Sequence, residues 1–512
     1  MLPAPGGCMR AAGHSLKPKP VSDSDNLKLR TARTLKWNVI DRVSQQVLYA
    51  VTGIVLARML SQADFGIVGA VLIFQAFASL LIDSGFSYAL IQRKNPSRLD
   101  YSTVLWFNIG AAVMLYVVLW FAAPLIATWF QNDQRLIPLS RVMFLSFILN
   151  ASAIVQTNKF VKSMNVRPVA VSNSFGLIMG AVTGIAMAVT GFGAWAIVWQ
   201  TIVTAFVKSA SLWLWSRWLP EAAFSWKSLR SFMSVGLGMM MTSFLNTLFL
   251  NIYSFLIGNR VGLAPLGYYT QSNKWSTMGI SSLSQVLTST SLPVLSEAQD
   301  DAVRFERCVR KFDRMTAYLL FPAMIGLCVI ATPLFHALFG SKWDASILLF
   351  QILCVRGIFT VLISLYNNYM LALGHSRPIF RMEVLRDSAA IIALIITFPY
   401  MAESTPANPV WGLSVMLWGQ LAASAIAWAG TLVCVVRYTP VRAAALIGDL
   451  APYFALSLVM AGPAWLSTYL IVNPFAALGA AIASGAGCYM GLNHLLRGKV
   501  QHEALAYLRG RM

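Results

Sequence analysis

The sequence predicts an all-α polytopic membrane protein. About fourteen transmembrane helices are expected, as two six-helix lobes around a central cavity plus two extra C-terminal helices. Three observations predict it. The chain is 57% hydrophobic and 11% charged, with mean hydropathy +0.64. Apolar runs of about 20 residues, the length that crosses a bilayer as a helix, recur throughout. Basic residues cluster in alternate loops, and part of the chain repeats.

In order, the spans fall at about 36–57, 66–91, 103–127, 137–157, 168–190, 194–216, 230–257, 269–293, 315–339, 346–372, 380–401, 410–436, 446–470 and 474–496. Residues 1–35 are polar and basic with no apolar run, so no cleavable signal peptide is expected and the tail is read as disordered. With the N-terminus inside, 29 of the 39 lysines and arginines fall in inner segments. The outer segments hold only Arg58, Arg135, Arg141, Arg260 and Lys342. That bias places both termini in the cytoplasm and accounts for most of the +20 net charge without nucleic acid. Six scattered cysteines with no CxxC or Cys/His spacing indicate neither a disulfide framework nor a zinc site.

Asn158…Arg167-Pro168, between spans 4 and 5, recurs as Asn368…Arg377-Pro378, between spans 10 and 11, with the same spacing. LARMLSQADFG (56–66) has a counterpart in IGNRVGLAPLG (257–267). Six spans per unit is an even number, so the two units share one orientation and an axis along the membrane normal. The chain therefore divides into a basic tail (1–35), an N-lobe (36–217), an inner-surface linker (218–229), a C-lobe (230–437) and the last two spans with a cytoplasmic tail (438–512). Those last spans are rich in alanine and glycine, which permits close helix packing.

Charge inside the membrane points to the candidate site, because it costs at least ~2.5 kcal/mol and so faces a cavity or a partner. On span 1, Arg42, Gln45, Tyr49 and Thr52 form one helical stripe. Asp83 on span 2, followed by Ser84-Gly85 that loosens the helix, is placed to pair with Arg42. The plainer alternatives are that Arg42 snorkels to headgroups and Asp83 pins a helix contact. Span 7 carries Ser243, Asn246 and Tyr253 on one face. Span 8 is polar throughout, with Gln271, Lys274, Ser281, Gln285 and Thr288 near helical spacing. It lines a water-filled cavity, or its hydroxyls hold packed helices together. Arg356, mid-span, is either a cavity cation or half of a buried ion pair. Arg386 with Glu383 and Asp387 reads as a local cluster, Lys208 as a snorkelling lysine, and His336 as a packing or interfacial residue.

The strings LAR-x-L-x-x-x-x-FG, D-x-G and A-x-IQRK within Thr34–Lys94 resemble the opening hairpin of Wzx-type polysaccharide flippases. The likeness continues through LGYYTQSNK, PVLSEAQDD and FGSKWDASILLFQILCVRG. It is nearest to the WzxC-like branch of the polysaccharide transporter family, in the superfamily that includes MATE exporters and MurJ. The resemblance implies a MATE-like or MurJ-like fold in a bacterial inner membrane. It implies a non-enzymatic flippase that moves an undecaprenyl-diphosphate-linked oligosaccharide to the outer leaflet by alternating access, for exopolysaccharide, O-antigen or capsule synthesis. Polysaccharide polymerase or export machinery is an implied partner.

An anionic diphosphate suits a cavity with more Arg and Lys than Asp and Glu. The cations Arg42 and Lys274 are expected to face each other across it, with Arg356 deeper in. Many relatives carry an acidic residue ahead of the Ile257-Gly258 pair, where this chain has Tyr253; if that residue serves H+ or Na+ coupling, this chain either lacks the coupling or rests it on Asp83. The competing readings are a lipid II flippase, a MATE-like exporter of cationic drugs, which should prefer a negative cavity, and a membrane glycan polymerase or ligase, for which no catalytic motif stands on an exposed loop.

Overall fold

In a computed structural model of the chain, the described residues are 23–83, 85–405, 409–496, 498 and 500–501. Among them are no strand and fourteen helices of eighteen residues or more. These are α1 Asp23–Met59, α2 Gln62–Asp83, α3 Arg98–Trp129, α4 Leu145–Lys162, α5 Arg167–Val189, α6 Trp195–Ser216 and α7 Trp226–Arg260. They continue as α8 Leu263–Glu297, α9 Ala302–Val329, α10 Asp344–Ala372, α11 Ser376–Thr397, α12 Trp411–Tyr438, α13 Ala443–Leu470 and α14 Pro474–Leu495. Short helices Phe86–Gln92, Leu136–Met143 and Ala331–Leu338 lie between them.

Ten of the long helices, α4 counted with the short helix before it, are long and apolar enough to cross a membrane. The sequence expectation was fourteen comparable spans. The difference has a physical cause in α1, α8 and α11, which are long enough but carry Asp41 and Arg42, Lys274 among many hydroxyls, and Arg381, Glu383, Arg386 and Asp387. Helix α1 begins at Asp23, so residues 23–35 of the expected disordered tail continue the first helix. Residues 1–22 and the basic residues Arg497, Lys499, Arg509 and Arg511 lie outside the described residues.

The turns α1–α2, α5–α6 and α7–α8 mark one end of the bundle, called here the hairpin end. The opposite, basic end carries the α2–α3 and α8–α9 connections and the linker before α7. There Lys159 lies 4.5 Å over the Trp218 ring, and Arg98 pairs with Glu221 at 3.6 Å. Asp100, at the start of α3, accepts a hydrogen bond from the Ser228 hydroxyl and lies 3.4 Å from Arg93. The linker and the first turns of α7 are therefore docked on the N-lobe.

The internal repeat appears as paired hydrogen bonds. Asn158 on α4 donates to the Ser87 hydroxyl at 2.8 Å, and Asn368 on α10 donates to the Ser291 hydroxyl at 3.0 Å. Glycines set the closest helix approaches. Gly176, Gly180 and Gly184 form one face of α5, and a Cβ at Gly180 would lie 2.0 Å from the Thr204 hydroxyl of α6. At the hairpin end α2 crosses α8 backbone to backbone. A Cβ at Gly66 would lie 1.7 Å from the Leu263 carbonyl oxygen, and one at Gly267 only 1.9 Å from that of Gln62. These two glycines are equivalent positions of the repeat.

Replacing Gly66 or Gly267 with valine should prise this crossing apart, since overpacking costs about 1–3 kcal/mol or more. Each change is expected to raise the alkylation rate of a cysteine placed at Thr270, which faces Gly69 across the crossing. An unchanged rate in both variants would show that the crossing tolerates separation.

Candidate functional site

The N-lobe encloses two polar chambers of about 300 and 190 Å³. Asn150 and Lys208 line both, so the chambers adjoin. The first holds Asp83, Ser87, Thr157 and Asn158. The helix break shapes it: α2 stops at Asp83, Gly85 adopts φ 71°, a conformation that favours glycine, and the short helix Phe86–Gln92 carries the Ser87 hydroxyl back onto the Asp83 carboxylate. The second holds Gln45, Tyr49, Gln75, Asn173, Gln200 and Thr204. Asn173 donates to both carboxylate oxygens of Asp41, at 3.3 and 3.2 Å. A wall of amides and hydroxyls with one ammonium and one carboxylate offers donors and acceptors to a polyhydroxylated or anionic group.

Gln45 and Tyr49 line one of these adjoining chambers and Asp83 the other, but the Arg42–Asp83 pair is not formed. Arg42 is exposed on α1 and lines neither chamber, while Asp83 is satisfied by Ser87. Thr52, on the same stripe, is buried and donates to the Leu48 carbonyl. The sequence places Lys208 as a snorkelling lysine, and the structure turns it into the lobe instead. Its signal was in the sequence: Gln200, Thr204 and Lys208 recur every fourth residue on α6.

In the C-lobe, Lys274 reaches α1, where its Nζ lies 2.5 Å from the place of a Cβ at Gly53, and it sits 5.3 Å over the Trp275 ring. Gly53 is eleven residues past Arg42, ~16 Å along the helix, so the two cations do not stand opposite one another. The side chain of Gln271 is buried, accepts from the Trp275 indole at 3.2 Å and leaves its own amide nitrogen unpartnered. Asn246 and Gln285 are exposed on α7 and α8. Further along the α1–α8 seam, the Gln46 amide lies 3.5 Å from both the Ser282 hydroxyl and the Met278 carbonyl.

Arg356 has a buried Nε without a partner, and among the described residues no carboxylate pairs with it. Tyr253 and Tyr269 lie within its electrostatic reach. Arg386 does form the expected local cluster, 2.6 Å from Glu383 and 2.9 Å from Asp387. His336 lies 2.7 Å from Asp344 at the hairpin end.

The lobes are locked at the hairpin end by an exchange of helix caps. The last carbonyls of α1 accept from the C-lobe: Ala57 from the Trp343 indole at 2.9 Å, and Arg58 and Leu60 from Lys342 Nζ at 2.8 and 2.7 Å. In return the Arg58 guanidinium donates to the Leu338 carbonyl at 2.7 Å and to that of Ala337, closing the helix Ala331–Leu338. Gln62 adds a bond to the Lys342 carbonyl at 2.6 Å. Cations at helix C-termini also suit the helix dipole. Composition marks Arg58 and Lys342 only as loop charges, so this lock was not visible in the sequence.

A two-lobed, pseudo-symmetric helical bundle with polar interiors, closed at one end, defines a multi-pass membrane transporter. Residues 55–348, more than half of the chain, match the model of the family described as "Polysaccharide biosynthesis protein", and the chain belongs to that family. It is 26% identical to the succinoglycan biosynthesis transport protein ExoT of Rhizobium meliloti over 70% of this chain and 72% of that one. It is 24% identical to the lipopolysaccharide biosynthesis protein WzxC of Escherichia coli over 72% and 76%. In fold it resembles the lipid II flippase MurJ in an inward closed conformation, with TM-score 0.73 and 15% identity over 91% of this chain and 99% of that one.

Substituting Arg58 or Lys342 with glutamine should weaken the lock, because a hydrogen bond to a charged donor contributes about 1.5–3 kcal/mol. Alkylation of a cysteine at Thr270 should then rise roughly ten- to hundredfold in each variant. A rate equal to that of the unsubstituted lock would remove these caps from the closure.

Proposed function

We propose that this chain is a flippase for an undecaprenyl-diphosphate-linked oligosaccharide, moving it across the bacterial inner membrane by rocking its lobes around the cavity. The observation that supports this best is the partition made by α8. Lys274, Gln271, Ser281, Ser282 and Gln285 make one part of α8 polar, while its Gly279 and Leu283 line an apolar groove of about 540 Å³ shared with α9, α13 and α14. Met460, Ala464, Ala481, Gly485 and Tyr489 complete that groove. A substrate with a polar, doubly anionic head and a long hydrocarbon tail needs both environments side by side. The tail stays dry in the groove, and the head meets hydroxyls, amides and the cations Arg42, Lys208, Lys274 and Arg356.

The lock explains how one side is held shut while the head enters from the other. Alternating access requires that lock to break once per cycle. The charge bias of the loops supports cytoplasmic termini, which puts the hairpin end at the outer surface. Asp83 supports a second role, binding H+ or Na+ in the N-lobe chamber.

Three measurements test the reading. With protein levels matched, Lys274→Gln and Arg42→Gln should each lower export about tenfold or more, and Lys274→Arg should keep part of it. Wild-type export by both glutamine variants would sink the cationic-cavity mechanism. Ala464→Trp should fill the groove and block transport while the protein still reaches the membrane; full activity would exclude the groove as the tail site. A cysteine at Val303 should resist membrane-impermeant reagents added from outside, and its labelling would reverse the orientation.

A further inference from the structure

The internal repeat places Arg377, in the first turn of α11, where Arg167 stands in the N-lobe. The two places are finished differently. Around Arg167 the turn is covered by α1: the guanidinium lies 5.5 Å over the Trp37 ring, and the Thr34 hydroxyl donates to the Met164 carbonyl at 2.6 Å. The counterpart of α1 in the C-lobe is α7, but its first turns are docked on the N-lobe, where the Ser228 hydroxyl meets Asp100. Helix α7 meets α11 at Ala390, whose carbonyl accepts from the Tyr253 hydroxyl at 3.3 Å. That contact is ~20 Å along the helix from Arg377, at 1.5 Å per residue. The basic end of α11 is thus left open, and a concavity of about 360 Å³ remains there.

Its wall is cationic. Arg377 and Arg381 stand one turn apart on α11, with His375, Ser376 and Tyr438 beside them and no carboxylate among the lining residues. The acids of the same helix, Glu383 and Asp387, both face Arg386, so among the described residues neither lining arginine has a carboxylate partner. Arg437 of α12 adds a third guanidinium close by, since it and Arg381 both lie within electrostatic reach of the Cys434 thiol. The wall is also preformed. The His375 ring packs on that of Tyr438 with 5.4 Å between centroids, and the His375 N–H donates to the Met370 carbonyl at 2.9 Å. Gly374, at φ 77°, turns the chain back at this point.

Like charges four residues apart on a helix repel, and an anion between them removes that repulsion. Two planar guanidinium forks on one concavity match the oxygens of a phosphate, which each can grip bidentately. Leu371, Phe380 and Val384 of the same two helices are exposed, an apolar skirt that suits the chains of a lipid carrying such a phosphate.

We propose that the α10–α11 turn is a phosphate-binding site at the basic end of the C-lobe. It takes the phosphodiester of an anionic phospholipid, or a free phosphate, between Arg377 and Arg381. The site shares no lining residue with the chambers or the apolar groove, and it does not rest on the flippase reading.

The test follows alkylation of a cysteine placed at Ser376, read on its own peptide, in the full chain purified in a phosphate-free detergent. Phosphatidylglycerol, inorganic phosphate and a glucosyl diacylglycerol, which has the chains without phosphorus, are added separately. Alkylation should slow about tenfold when the bound phosphate is at roughly ten times its dissociation constant. Slowing by phosphatidylglycerol alone identifies a lipid headgroup; slowing by inorganic phosphate, against chloride at matched ionic strength, identifies a soluble ligand. The protection should vanish in the double variant Arg377→Gln/Arg381→Gln. It should survive in part in Arg377→Lys/Arg381→Lys, which keeps the charge and loses the fork. Both arginines are exposed, so these changes leave the packing intact. Equal protection by the glycolipid, protection that persists in the glutamine pair, or no protection by either phosphate overturns the proposal.

Discussion

The exchange of helix caps at the hairpin end is the constraint on which the rest of this structure depends. Helix C-termini leave carbonyls without intrahelical partners, and in a membrane those carbonyls must find donors. Here each lobe supplies the donors for the other: Lys342 and Trp343 to α1, and Arg58 to the helix Ala331–Leu338. The donors are charged or indole groups, and the glycine crossing of α2 with α8 brings the backbones into close contact beside them. A closure made of a few strong, geometrically demanding bonds is two-state in character. It holds while all the bonds are made, and a small displacement weakens them together. The polar interiors of both lobes are thereby cut off at this end, and α1 and α8 can diverge only towards the basic end.

Much of this architecture was legible because it rests on local pattern. The repeat was carried by Asn158 and Asn368, and the structure shows why the spacing matters: each side chain reaches back to a serine, Ser87 just past the end of α2 and Ser291 in the last turns of α8. The polar surplus of α8 and the break at Gly85 were read from composition and one dipeptide. What stayed hidden required knowing which helix stands next to which. Lys208 lies near a span end, so its position alone suggested snorkelling, yet the glycine face of α5 draws α6 inward and turns the lysine into the chambers. Arg42 and Asp83 lie at compatible heights on consecutive helices, but α1 packs on α5 and not on α2. The helix break satisfies Asp83 locally, and Arg42 is left exposed on α1. Asp313 lies among the arginines of α9, and only the packing of α10 and α13 shows that it alone of the charged residues there is fully buried.

The buried charges divide into two kinds, and the division carries mechanistic weight. Arg386 has two carboxylates and Asp449 has two guanidiniums. In these clusters every charge has an opposite charge at contact distance, so they add rigidity and leave no charge without a partner. Lys274 and Arg356, by contrast, have no carboxylate partner among the described residues. Holding a cation in low dielectric without a partner is unfavourable, and it is tolerated where an anion completes the site for part of a cycle. The unpaired cations stand at the α1–α8 seam and within the C-lobe, while the paired ones include the contacts that bind α9 to α13 and brace α11.

The pseudo-symmetry is broken where the two lobes have different work. Ser87 and Ser291 hold equivalent places, but the residue one turn before Ser87 is Asp83 and the one before Ser291 is Leu287. The N-lobe thus keeps a carboxylate and a polar chamber behind α2. The C-lobe at the same place is apolar and packs α8 onto the core shared with α9 and α10. Beyond that packing the two additional helices α13 and α14 open the groove, whose alanine and glycine lining leaves room for a hydrocarbon chain and nothing to bind a polar one. A duplicated bundle alone would present two similar polar faces. Adding α13 and α14 to one half makes α8 a boundary between a wet compartment and a dry one, the asymmetry that an amphipathic substrate requires.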